Sequence, residues 1–246
     1  MTLLSLRSVS KSFIRGSTVR RVMTDVSLTV EGGRLMSVYG GRGSGKTTLL
    51  RVAAALDAPD RGEVRFAGRP LHRMDGRELL ALRRRQIAWV DGAGPHDDRM
   101  TARDIVALPL QREFAARGAR AAASDALAAL GIAEHAGEPW RELPDLARIL
   151  CSIGQALARQ PRLLIVDDPT AGLDILARER VCGLLRDAAE RDGLAVLMAV
   201  PDMPSMLQSH ESRVLSRGRL LEPATALGGG PAPAPPVIDL PLRDSA

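Results

Sequence analysis

The sequence predicts a mixed α/β domain with a parallel core sheet, and three observations carry that prediction. A glycine-rich loop, Gly40-Gly41-Arg42-Gly43-Ser44-Gly45-Lys46-Thr47-Thr48, joins an apolar strand pattern at 35–39 to a Leu- and Ala-rich helical pattern at 47–55. Residues 163–166 and 194–200 are apolar throughout, as in strands covered on both faces. Residues 4–12 and 22–30 alternate instead, through Leu4, Leu6 and Val9 and through Val26, Leu28 and Val30, as half-buried strands do. The loop itself fits G-x-x-x-x-G-K-[ST], in the strand–loop–helix context that this phosphate-binding pattern requires.

The other elements follow in chain order. Glu31-Gly32-Gly33 turns the second strand into the glycine-loop unit. Residues 62–68 read as a short strand between turns, 79–85 as a basic helix and 87–90 as a brief strand. A loop at 91–99 contains Gly92, Gly94 and Pro95. Residues 101–130 read as helical with a break at Gly118, and Gly131 ends them. An irregular connection at 138–144 precedes a helix at 145–158. Asp167-Asp168 closes the first apolar run, a helix covers 175–191, and 213–216 with 219–221 form a hairpin about Arg217-Gly218. These patterns give a nucleotide-binding domain at 1–222, with a helical insertion at about 92–155. Residues 223–246 contain Gly228-Gly229-Gly230 and four prolines between 231 and 236; such a stretch cannot bury a core and is expected to be a flexible tail.

Composition narrows the function. The 246 residues carry a formal net charge of +5, but the arginines are interspersed with Asp and Glu, and aromatic residues make up only 2%. Without aromatics interleaved for base stacking, no direct nucleic-acid binding is expected. The Arg83-Arg84-Arg85 run reads as a solvated helix face. Cys151 and Cys182 fall in helical patterns without metal spacing and read as small core residues of a reducing compartment. No apolar run approaches the roughly 20 residues that span a bilayer, and the first residues lead straight into strand pattern, so neither a membrane helix nor a leader is expected.

The loop sets the chemistry. Glycines bring backbone N–H groups close to phosphate oxygens, and the following helix N-terminus adds positive potential. Lys46 is placed to reach the β- and γ-phosphates and the Thr47 hydroxyl to ligate Mg²⁺. The chain has only two lysines, Lys11 and Lys46, and one falls where the pattern demands it. Leu163-Leu164-Ile165-Val166-Asp167-Asp168 has the form of a Walker B strand, so Asp167 is expected to hold the same Mg²⁺.

With those residues in place, the chain resembles the ATP-binding cassette (ABC) family of transporter ATPases over residues 3–221. Phe13 sits where that family stacks an aromatic on adenine. Asp167-Asp168-Pro169-Thr170-Ala171-Gly172-Leu173-Asp174 is similar to its D-E-P-T-x-x-L-D, Walker B running into the D-loop. Met100-Thr101-Ala102-Arg103-Asp104-Ile105-Val106-Ala107-Leu108-Pro109-Leu110 resembles the L-T-A-x-E-N-V-A-L-P-L of the branch containing macrolide-exporter, lipoprotein-release and FtsE-type ATPases; Leu82-Arg83-Arg84 and 87–90 fit the same branch. The resemblance implies the ABC ATPase fold, a P-loop core with an N-terminal antiparallel β subdomain. It also implies ATP and Mg²⁺ as cofactors, an integral-membrane permease and a second ABC ATPase subunit as partners, and a cytoplasmic location on the inner face of the membrane.

Four elements depart from the family. Gly92 falls where it has a glutamine; Leu143-Pro144-Asp145-Leu146-Ala147 replaces L-S-G-G-Q; Asp168 replaces the catalytic glutamate; and Pro201 replaces the switch histidine. Proline donates no hydrogen bond, and losing one such donor costs about 10²–10³-fold in rate. His210 lies about nine residues late for a substitute. What survives binds nucleotide: Phe13, residues 40–48 and Asp167. What is lost hydrolyses it or closes a dimer over it. The expected function is an ATP-binding subunit with weak hydrolysis. A working ATPase using Asp168 as base, and a regulatory module outside transport, stay open. Arg42 falls where the family often has serine and reads as extra positive charge for phosphate.

Overall fold

The computed structural model describes residues 1–91, 97–112 and 114–223. Strands β1 (Thr2–Arg15) and β2 (Thr18–Glu31) form a long hairpin, and β3 (Leu35–Tyr39) leads into helix α1 (Lys46–Ala53). Then come β4 (Arg61–Phe66), β5 (Arg69–Pro70), α2 (Gly76–Arg85) and β6 (Ile87–Val90). Helices α3 (Ala102–Ala107), α4 (Ala116–Ala129) and α5 (Asp145–Leu157) precede β7 (Leu163–Asp167) and α6 (Ile175–Asp192). Strand β8 (Ala195–Val200), α7 (Met203–Leu207), β9 (Glu211–Ser216) and β10 (Arg219–Leu221) complete the described chain.

Two sheets result. The antiparallel one has order β2-β1-β4-β5; the core sheet has order β10-β9-β3-β8-β7-β6, parallel except for β10. Every residue of β8 is buried, and its side chains alternate between two cores. Ala195, Leu197 and Ala199 pack with β1, β2 and α1, while Val196, Met198 and Val200 pack with α3, α4, α5 and α6. The unbroken apolar run is therefore two period-2 faces superimposed, each covered by its own layer.

Local chemistry sets the helix boundaries. Asp75 and Glu78 form a reciprocal capping box on α2, and Thr101 accepts from the Asp104 N–H to start α3. The break expected at Gly118 falls elsewhere: α4 runs through Gly118, and the chain leaves helix after Ala107. Pro109 is the reason, because its missing N–H cannot continue α3, and Pro109–Arg112 forms a 3₁₀ turn instead. Helix α7 has no counterpart in the sequence reading. It starts where Asp202 Oδ1 accepts from the Ser205 N–H at 2.8 Å. Among the described residues no helix is long and apolar enough to cross a membrane. Gly92 and the tail expected at 223–246, beyond Pro223, lie outside the described residues.

Candidate functional site

The carboxyl ends of β3, β7 and β8 meet at one edge of the core sheet, the edge at which open α/β sheets take ligands. Strand β3 delivers Gly40. A Cβ there would lie 2.6 Å from Ser44 Oγ and 2.7 Å from the Leu215 carbonyl oxygen, so only glycine fits. Gly45 has φ 105°, and a Cβ on it would meet Val22 Cγ1 at 2.8 Å. The loop thus turns tightly and opens onto the start of α1, which has neither a side-chain cap nor an acidic residue in its first turn. Its first N–H groups and the positive end of its dipole remain available to an anion.

Lys46 is buried, with Nζ donating to the Gly40 carbonyl oxygen at 2.9 Å and lying 3.7 Å from Asp168 Oδ1. The Thr47 hydroxyl faces the Asp167 carboxylate and favours its charged form. Burial pushes the Asp167 carboxyl up, and the neighbouring Asp168 charge adds to that, against the opposing effects of Thr47 and Lys46. Asp168 adopts φ 48°, in the left-handed region, with its N–H donating to the Ala199 carbonyl oxygen at 3.1 Å. Ser44 Oγ, Asp167 Oδ1 and Asp168 Oδ1 are buried without a hydrogen-bond partner. Buried orphan oxygens are costly unless something binds them, and three hard oxygen donors beside a phosphate cradle suit Mg²⁺. Among the described residues no three His, Cys, Asp or Glu side chains form a closed cage. That fits a cation held by one or two carboxylates together with a phosphate.

Gly41, Arg42, Gly43 and Thr47 are exposed in this cradle, Thr48 is half-buried on α1, and Phe13 is exposed on β1. Phe13 lies near the tip of the β1–β2 hairpin, 43% exposed, with Lys11 Nζ 5.5 Å from its ring centroid. Lys11 Nζ also donates to Asp60 Oδ1 at 3.0 Å. Trp89, at the end of β6, donates its indole N–H to Asp91 Oδ2 at 2.9 Å, and the Asp91 charge also acts on Asp167.

The segment after β8 and the start of α5 are each fixed by local contacts. Pro201 ends β8, and the next residue, Asp202, caps α7 while Oδ2 accepts from Arg178 Nη1 at 3.3 Å. Arg178 Nε also donates to the Leu173 carbonyl oxygen at 2.7 Å. The segment after β8 is thus fastened to the turn after β7, and Ser205 Oγ adds a bond to Thr170 Oγ1 at 3.2 Å. At the start of α5, Asp145 occupies the first turn and lies 3.5 Å from Arg148; its charge complements its own helix dipole. His210 lies away from this edge of the sheet. Its Nδ1 accepts from the Leu35 N–H at 2.9 Å and its Nε2 faces Glu190 at 2.8 Å, at the opposite end of β3 from the loop.

The sequence reading missed Arg20. The two-residue turn Gly16-Ser17 fixes the register of the β1–β2 hairpin, and that register pairs Phe13 with Arg20. Counting outward from that turn would have found it.

An α/β sheet with a glycine loop, a buried lysine and a strand-end carboxylate at its carboxyl edge defines a P-loop nucleotide-binding protein. The chain belongs to the ABC transporter family, whose model matches residues 23–171. It is 32% identical over 234 residues to the macrolide export ATP-binding/permease protein of Paracoccus denitrificans, covering 95% of this chain and 35% of that protein. Against the methionine import ATP-binding protein of Rhodococcus jostii it is 32% identical over 246 residues, covering 98% of this chain and 68% of that protein. Against the lipoprotein-releasing system ATP-binding protein of Shewanella oneidensis it is 29% identical, covering 91% and 98%. The chain spans about a third of the length of the macrolide-export relatives it matches. Its fold matches the dimeric ATP-binding cassette MJ0796, solved with ADP and Pi in a post-hydrolysis state, with a TM-score of 0.80 at 26% identity over 89% of this chain and 96% of that one.

Proposed function

We propose that this chain is the Mg-ATP-binding subunit of an ABC transporter, working beneath a separate permease, and that it hydrolyses ATP slowly or not at all. In this reading Phe13 carries the adenine. The N–H groups of residues 40–48 and Lys46 hold the phosphates, Arg42 adds charge, and Thr47 and Asp167 hold Mg²⁺. Bound Mg²⁺ supplies charge neutralisation at the phosphates; the protein supplies the cradle. The observation that carries the reading is the contrast between two strand ends. After β3 the loop is sterically restricted to glycine at Gly40 and Gly45, whereas after β8 the chain offers Pro201 and an Asp202 already engaged with Ser205 and Arg178. Two such chains pair across their nucleotides, or one pairs with a second ABC ATPase; the cassette that this fold matches is itself dimeric. Binding then acts as a clamp on the permease at the inner face of the membrane. The functional unit is residues 1–222, with the helical insertion at about 92–155.

The test is steady-state ATP turnover of the purified chain with its permease. Turnover below about 1 s⁻¹, the low end of ordinary enzyme rates, with Mg-ATP binding retained, is the expected result. Turnover well above that, lost on Lys46→Ala, sinks the weak-hydrolysis claim. One observation favours the working-ATPase reading: Asp168 Oδ1 is buried, unpaired by hydrogen bonds, and beside Lys46. Asp168→Asn discriminates, because it abolishes turnover if Asp168 is the base and changes little if the subunit only clamps. Failure to co-purify any multi-spanning permease would favour the regulatory module.

A further inference from the structure

We propose that Arg20 is a further nucleotide-binding residue, a guanidinium on β2 that contacts the phosphate chain of ATP from outside the glycine loop. The inference rests on the reading of that loop as an ATP site. Arg20 Nη2 lies 3.9 Å from where a Cβ on Gly43 would stand. On the same strand, Val22 Cγ1 lies 2.8 Å from the corresponding position at Gly45. Strand β2 therefore runs along the outer wall of the loop, and the two residues face successive glycines of it.

The hairpin register pairs Arg20 with Phe13. One strand pair thus presents an exposed aromatic ring and, beside it, a cation that reaches the loop. A nucleotide whose base lies on Phe13 and whose phosphates enter the loop must pass this guanidinium. Among the described residues no side chain or carbonyl pairs with Arg20, so its five donors are uncommitted. A planar guanidinium matches phosphate oxygens geometrically and stays charged at any physiological pH.

The strand is also held in place. The Val22 position is a bulge, since Lys11 pairs with Met23 and Ser12 with Arg21, and bulges re-aim side chains. The turn at Gly218 locks β2 from the other side, with the Thr24 N–H donating to the Gly218 carbonyl oxygen at 2.8 Å. Arg20 thus offers phosphate a contact within the same subunit, in a chain whose 143–147 stretch has Pro144 and Asp145 where a partner's phosphate would need free N–H groups.

The experiment is calorimetric titration of the full chain with Mg-ATP and Mg-ADP at two salt concentrations, for wild type, Arg20→Ala, Arg20→Lys and Lys46→Ala. Arg20→Ala is expected to weaken Mg-ATP binding about tenfold, the lower end for a hydrogen bond to a charged group. Its salt dependence should be shallower than that of wild type, its nucleotide-free melting temperature should be unchanged, and Arg20→Lys should recover part of the loss. If wild type binds, Lys46→Ala loses binding and Arg20→Ala stays within twofold of wild type, the Arg20 assignment is overturned while the loop reading stands. If wild type binds no Mg-ATP, the loop reading falls and this inference with it.

Discussion

Gly45 shows how much of the site one residue holds. Its φ of 105° and the 2.8 Å approach of Val22 Cγ1 combine backbone strain and a clash in any side-chain-bearing variant. Gly45→Ala is expected to cost about 1–3 kcal/mol, the range for a residue forced into a sparsely populated backbone region. The loss would be read as a lowered midpoint in urea denaturation, together with loss of Mg-ATP binding. The loop was legible from the sequence because its chemistry is local: glycine spacing, one lysine and two threonines within nine residues. Asp167 was legible because an apolar strand points to it. The ties of Asp202 to Arg178 and of His210 to Leu35 were not. They join positions 24 and 175 residues apart, and no periodicity encodes such pairs.

At the scale of elements, the best-defined joint in the helical layer is Asp104. It lies in the first turn of α3, where Thr101 Oγ1 donates to Oδ2 at 2.8 Å and Arg120 Nε of α4 donates to Oδ1 at 2.8 Å. Partial burial works against the charge, but these hydrogen bonds and the Arg120 charge outweigh it and hold the Asp104 carboxyl below its usual value of 3.8. A carboxyl whose pKa is depressed on folding stabilises the fold above its unfolded pKa, and the stabilisation disappears as pH falls through the folded pKa. Asp104→Asn is therefore expected to cost about 1 kcal/mol at pH 7. The gap between variant and wild type should close below pH 3.8, as followed by thermal melts across pH. The strand pattern was read correctly from alternation and apolar runs, since two-sided burial leaves that signature directly. The 101–130 region was read as one helix broken at Gly118 because its alanines favour helix throughout, yet a missing N–H at Pro109 outweighs what a glycine costs inside α4.

On the scale of the whole molecule, two apolar cores sandwich the parallel sheet, and the described members of both end by Leu220. A chain ending at Glu222 is accordingly expected to melt within a degree or two of the full chain, since one kcal/mol shifts the midpoint of a domain this size by about 2–4 °C. A larger drop in differential scanning calorimetry would show that residues 223–246 complete one of the cores. The composition left its mark here as well. With three Phe, two Trp and one Tyr in 246 residues, the cores are filled by Leu, Val, Ala and Ile, and each remaining aromatic stands at a particular place. The two tryptophans stand in separate layers. Trp89 lies one residue before the end of a strand of the core sheet, bonded to Asp91, while Trp140 packs half-buried against the helical layer. The protein consequently carries its own optical reporter: with Trp140 replaced by Phe, the emission of a single indole reports on the hydrogen bond to Asp91 at the end of β6, with no dye attached.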